Sequence, residues 1–344
     1  MKIKIFTDIQ KAKEAPKWEY VFPLVELLVK ENSAISECYE IVEDIQQADF
    51  VALALSVIYL FENNQKEYFY KYLNLAKSNN KKMLIFAGGD YGKTIADSSI
   101  ISIRLGGFKS KFPENTFIMP PFIEDPVEKM NLKFYDLDLI SNPTIGFVGH
   151  SAGGLKKWSK EFLIFLKGSL QRLIGKKTTD FQRFYPSSIK RFQYLISLKD
   201  EPELITDFIF RARYRAGNQT GEDRVRTTRE FYDNIQRNLY TFCLRGGGNF
   251  SVRFYETLAM GRIPILLDTD CQLPFEDAIN WSNHCLIVNE SDSKRITQKI
   301  LDFHQSLTPE KSKQMQRENR KIWAKYLNKE SYFVGFKREL QKYI

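Results

Sequence analysis

Apolar residues follow two alternating rhythms over the first 120 positions. Lys2–Phe6 is a short apolar strand, and within Tyr20–Lys30 the residues Val21, Leu24, Val25 and Leu28 keep helical spacing. Phe50–Leu55 is an almost unbroken apolar run, as a strand covered on both faces requires. Helical spacing returns at Phe69, Tyr72, Leu73 and Ala76. Lys82–Ala87 is a further strand ending in Gly88-Gly89-Asp90, and Thr116–Met119 is another, closed by Pro120-Pro121. Strands alternating with helices predict a parallel sheet with helices on its faces.

The pattern weakens between Ile123 and Pro143 and then begins afresh. Thr144–Val148 is an apolar strand that runs into Gly149-His150-Ser151-Ala152-Gly153-Gly154. Trp158–Leu173 has helical spacing. Asp207–Phe210, Tyr240–Leu244, Ile263–Leu267 and Cys285–Val288 read as strands, with helices at Thr228–Gln236 and Ser251–Met260 between them. The expected class is α/β, with two Rossmann-like domains facing a cleft. The first covers 1–125, a linker 126–143, the second 144–308, and a basic helical tail 309–344.

A length of 344 residues exceeds what one core usually fills, which agrees with two units. No run of 18 apolar residues occurs, so no segment is expected to span a bilayer. Met1–Phe6 leads into Asp8 without the apolar core and cleavage site of a signal peptide, and the expected location is the cytoplasm. Four cysteines without a CxxC pair, and three histidines, argue against a zinc site or a disulfide framework. The formal charge of +9 is uneven: Thr308–Ile344 holds ten Lys/Arg against four Asp/Glu. Such a surplus suits phosphorylated substrates, an anionic membrane surface or nucleic acid. No nucleic-acid motif accompanies it, so nucleic acid is not an expected partner.

The chemistry concentrates between Tyr240 and Pro264. A strand ends at Leu244, Gly246, Gly247 and Gly248 free the backbone to turn, and a helix opens near Asn249 or Ser251. Bare glycines let N–H groups approach a phosphate, and the helix dipole favours negative charge there. Arg245 and Arg253 supply guanidinium groups suited to phosphate oxygens. Arg253 and Glu256 share a helix face, where a carboxylate can accept hydrogen bonds from vicinal sugar hydroxyls. On this local pattern alone, a tight turn and a surface ion pair account for the residues equally well. Arg211, Arg213 and Arg215 read either as a solvated loop or as a diphosphate clamp. His150 follows the first strand of the second half, at a cleft-facing end.

The stretch resembles the exostosin-like glycosyltransferases. The resemblance is carried by Phe242-Cys243-Leu244, Arg245-Gly246, Ser251-Val252-Arg253, Glu256, Gly261-Arg262-Ile263-Pro264, Leu273-Pro274-Phe275 and Asn280-Trp281. Weaker similarity reaches Gly88-Gly89-Asp90 and Ile118-Met119-Pro120. Leu244 stands where the family often has Pro, Arg262 where it has Cys, and Tyr91 where it has His. The chain looks most like the compact bacterial members, without the amino-terminal anchor of Golgi enzymes.

The resemblance implies a GT-B fold whose terminal helices cross back onto the first domain. It implies transfer of a sugar from a nucleotide-sugar, UDP-linked by family habit, to a saccharide or lipid-linked saccharide acceptor in surface polysaccharide or glycan synthesis. Arg245 and the Gly246–Asn249 backbone would then neutralise the diphosphate, Arg253 would support that charge, and Glu256 would hold the ribose. Arg211, Arg215, Ser251 and His150 would contribute to the same donor site. Phosphate neutralisation by arginine and a helix dipole can replace a metal, so metal-independent transfer without any cofactor is expected. An inverting transfer needs a base, for which Asp90 is the candidate and Asp8 and Glu19 are competitors. The basic tail would hold the enzyme at the inner face of an anionic membrane. A non-catalytic sugar- or nucleotide-binding protein, and a transferase of a phosphate-linked group, are the alternatives.

Overall fold

The computed structural model describes residues 1–211 and 221–344; Arg213 and Arg215 lie outside the described residues. Strands β1 (Ile3–Phe6), β2 (Tyr39–Val42), β3 (Phe50–Ala52), β4 (Lys82–Phe86), β5 (Ile100–Arg104) and β6 (Thr116–Ile118) form one sheet in the order β2-β1-β3-β4-β5-β6. Strands β7 (Thr144–His150), β8 (Ile205–Arg211), β9 (Tyr240–Cys243), β10 (Ile263–Asp268) and β11 (Leu286–Asn289) form a second, in the order β11-β10-β9-β7-β8. Every pairing in both is parallel. Parallel neighbours need crossover connections, and the intervening helices supply them. Two such α/β units face one cleft, the arrangement that the resemblance implies.

β2 and β5 are absent from the sequence reading for different reasons. β2 is a four-residue edge strand, too short to display an alternation. β5 is buried throughout, yet carries Ser102 and Arg104. Arg104 is only 2% exposed, because the Asp180 carboxylate lies 3.0 Å away and the Tyr91 and Gly106 carbonyls accept from it at 2.7 and 2.6 Å. Sequence alone cannot separate such an internally paired arginine from one facing water.

The first core gathers Ile3, Ile5, Phe50, Val51, Leu84 and Ile101 and is completed by the far end of the chain. Helix Lys329–Leu340 contributes Tyr332, Phe333, Phe336 and Leu340 to it. Tyr39 Oη donates to the Phe333 carbonyl at 2.7 Å, and Tyr332 Oη to that of Ile118 at 3.1 Å. Helix Pro309–Ile322 stays with the second unit, where buried Gln316 exchanges hydrogen bonds with the Leu137 backbone at 2.8 and 2.9 Å. Leu137 and Leu139 pack on the second core, so part of 126–143 is docked on that unit.

Several of the tail's basic side chains pair with acids of the chain. Lys313 meets Asp138, Arg317 meets Asp136, Arg320 meets Asp125, Lys329 meets Glu26 and Lys342 meets Glu339. Much of its surplus charge is answered within the chain. Among the described residues, no helix is long and apolar enough to cross a membrane.

Candidate functional site

The second sheet reverses its winding between β7 and β9: β8 is added on one side of β7, and β9, β10 and β11 on the other. Open α/β sheets bind ligands beyond the C-terminal strand ends at that reversal. β7 and β9 pair only at Ile145–Tyr240 and Gly146–Thr241, so past those residues the two strand ends separate. A cleft of about 600 Å³ opens there. Gly149 and His150 line it from β7, Gly246, Gly247 and Gly248 from the turn after β9, and Ser251, Arg253 and Glu256 from the start of helix Val252–Ala259. Asp90, beyond the end of β4 in the first unit, closes the opposite side.

The glycine turn approaches the first unit closely. A Cβ on Gly248 would collide with the Asp90 carbonyl oxygen, so a side chain there would force the units apart. No side-chain cap bond is made at the N-terminus of helix Val252–Ala259. Ser251 and Val252 line the cleft, and the helix therefore directs its positive end there.

Cations dominate the wall: Lys129, Arg191, Arg211, Arg224 and Arg253 face two carboxylates, Asp90 and Glu256. Arg253 Nη2 donates to the Val148 carbonyl at 2.7 Å, and its guanidinium lies 4.2 Å over the Phe147 ring. Arg191, on helix Ser187–Lys199, is 9% exposed and donates to the carbonyls of His150 and Arg245 at 2.7 and 3.0 Å. Its buried Nε has no hydrogen-bond partner among the described residues. Burial, and then the nearby Arg253 charge, lower the Arg191 pKa to about 10, so it stays charged at neutral pH. Like charges held this close in a crevice favour an anionic ligand. Arg211 also faces the cleft but shares its charge with Glu230 at 2.5 Å and donates to the Thr227 carbonyl at 2.8 Å.

Sequence reasoning missed Arg191. Its partners lie 41 and 54 residues away, and nothing around it in the chain marks it. Arg245 and Asn249, expected from the sequence at the donor, do not line the cleft. Arg245 is 4% exposed, donates to the Gly247 carbonyl at 2.9 Å and sits 5.4 and 5.0 Å from the Phe108 and Tyr185 rings. It braces the turn from behind. Asn249 reads as a helix cap but joins the units. Its Nδ2 lies 2.9, 2.9 and 3.0 Å from the carbonyls of Gly107, Thr269 and Asp270, and Thr269 Oγ1 donates to its Oδ1 at 2.6 Å. Asn249→Ala leaves these buried groups unpaired, so unfolding stability should fall by about 2–4 kcal/mol in a urea titration.

His150 lies within 3.1 Å of the Arg211 carbonyl through Nδ1, and within 2.9 Å of Lys157 Nζ and 3.3 Å of Ser188 Oγ through Nε2. Those partners suit a neutral ring with its proton on Nδ1. Burial first, and the cations Lys157 and Arg191 further, lower its pKa and keep it neutral. Glu256 is half-buried and accepts from Tyr232 Oη at 3.4 Å. Asp90 has exposed area, yet the surrounding walls desolvate its carboxyl enough to raise the pKa. Asp8 accepts from Lys11 N at 2.9 Å and Tyr68 Oη at 3.2 Å, while Glu19 meets Lys17 at 3.5 Å; neither lines the cleft.

Residues 196–302 match the Exostosin GT47 domain. This part of the chain is exostosin-like. A probable glucuronosyltransferase of Oryza sativa subsp. japonica is 35% identical over 66 residues, 19% of this chain and 15% of that protein. Exostosin-1 of Drosophila melanogaster is 32% identical over 111 residues, 32% of this chain and 14% of that protein. The exostosin-like matches thus span only a small part of those relatives. A solved glycosyltransferase from Rickettsia africae ESF-5 aligns over 99% of both chains, at 13% identity and a TM-score of 0.38.

Proposed function

We propose that the protein is a glycosyltransferase that moves a sugar from a nucleoside-diphosphate donor, UDP before others, to a hydroxyl of a saccharide or lipid-linked saccharide. What supports this is the convergence of Arg191, Arg253, the glycine turn and a helix N-terminus on one cleft, with a desolvated Asp90 on the facing domain. The cations take the charge that develops on the departing diphosphate as the bond from anomeric carbon to phosphate oxygen breaks. Asp90 takes the proton of the acceptor hydroxyl as its oxygen attacks from the opposite side, which inverts the anomeric centre. Glu256 accepts hydrogen bonds from the ribose. Charge neutralisation by guanidinium and helix dipole makes the transfer metal-independent.

Calorimetry with UDP, GDP, CMP and dTDP tests the site, and one of them should bind. Silence from all four with folded protein would overturn the reading. Glu256→Gln keeps the shape but loses charge-assisted bonds, so affinity for that nucleotide should fall about tenfold to a hundredfold. The 2′-deoxy nucleotide should lose less on the same substitution, because one partner is already missing. Equal losses for both nucleotides would remove Glu256 from the ribose.

A further inference from the structure

We propose that the outward face of helix Leu155–Leu173 lies in the interfacial layer of an anionic membrane. The helix already has an inner face: Trp158, Phe162 and Phe165 pack around Phe184, with ring centres 5.6, 5.2 and 5.3 Å away. Its outer face is nevertheless apolar. Leu155, Leu163, Leu166, Leu170 and Leu173 recur at helical spacing and are 84%, 64%, 44%, 58% and 73% exposed. Ile174, 57% exposed, extends the stripe past its last leucine. A contiguous apolar surface of this kind marks a contact site.

Charge decides the occupant. Lys156, Lys160 and Lys167 are exposed along the stripe, and Lys176 and Lys177 are exposed just beyond its end. Between 155 and 177 there are seven Lys/Arg and one acid, Glu161, which lies 3.5 Å from Lys157. A second copy of this face would set lysines against lysines. An anionic bilayer takes the leucines among its acyl chains and the lysines among its headgroups at once.

The helix starts just beyond His150, and Lys157 Nζ is 2.9 Å from His150 Nε2, so the first turns of the helix adjoin the cleft through the side that carries Lys157. If the transfer reading holds, an acceptor carried by a lipid would meet the cleft from this side. Membrane docking itself requires no donor and stands apart from that reading.

Cosedimentation of the full chain with phosphatidylcholine vesicles, with and without phosphatidylglycerol, tests the proposal. Binding should need the anionic lipid and weaken as salt rises, because the attraction is screened over about 10 Å at 0.1 M. Leu163→Asp/Leu170→Asp and Lys156→Glu/Lys160→Glu/Lys167→Glu should each reduce it about tenfold or more. These side chains are exposed, so thermal unfolding should be unchanged. Lys325→Glu/Arg338→Glu, on the exposed side of the tail, should retain full binding. The proposal is overturned by failure to bind phosphatidylglycerol vesicles, by equal loss in the tail variant, or by a dimer that Leu163→Asp dissociates. Nucleotide affinity measured on the helix variants should stay at the parent value, which keeps a failure here distinct from a failure of the transfer reading.

Discussion

Asp90→Asn should lower turnover by about a hundredfold to ten-thousandfold, the contribution of a positioned general base. Nucleoside-diphosphate affinity should hardly change, because the cations proposed to take the diphosphate sit on the other domain. The pH profile provides the second readout. Only the ionised carboxylate accepts a proton, and desolvation raises the Asp90 pKa above the ordinary value. Turnover should therefore fall as pH drops through that raised value, with an acid limb above the one an exposed aspartate near about 3.9 would give. The limb should vanish in Asp90→Asn. Unchanged turnover, or a limb that survives the substitution, would show that another group takes the proton.

What the sequence revealed of this site follows the range of the interactions. Asp90 was visible because an apolar strand followed by Gly88-Gly89 announces a strand end at the ligand face. Arg253 and Glu256 were visible because helical spacing puts them on one face. Arg191 was invisible because its importance comes from two carbonyls on other elements. Asn249 shows the opposite failure. A good N-cap residue before a helix is a local signal, and tertiary packing overrode it by bringing the Gly107, Thr269 and Asp270 carbonyls to the same amide. The tail held both kinds of information. Its charge surplus was conspicuous, but Tyr332, Phe333 and Phe336 decide where its last helix goes. Net charge points to the tail for membrane contact, whereas the surface that combines charge with exposed leucines lies on helix Leu155–Leu173.

Arg253→Gln should reduce turnover by about a hundredfold to a thousandfold, as expected for removing a preorganised donor aimed at developing negative charge. The guanidinium is preorganised by the Val148 carbonyl and the Phe147 ring, so little reorganisation is needed during the reaction. Arg253→Lys should recover only part of the loss, since an ammonium reproduces neither the ring stacking nor the planar fork. Substituting Arg253 also removes the donor from the Val148 carbonyl, so a variant that leaves the arginine in place is needed. Gly149→Ala provides it: the new Cβ would stand 2.7 Å from Arg253 Nη2, and the flexible end of the side chain must shift. Gly149→Ala should lower turnover in the same direction by a smaller factor, with little effect on unfolding. In the double variant the alanine should add almost nothing, because the group it displaces is already gone. Multiplicative losses would show that Gly149→Ala acts elsewhere, and full activity in Arg253→Gln would move the leaving-group charge to Arg191.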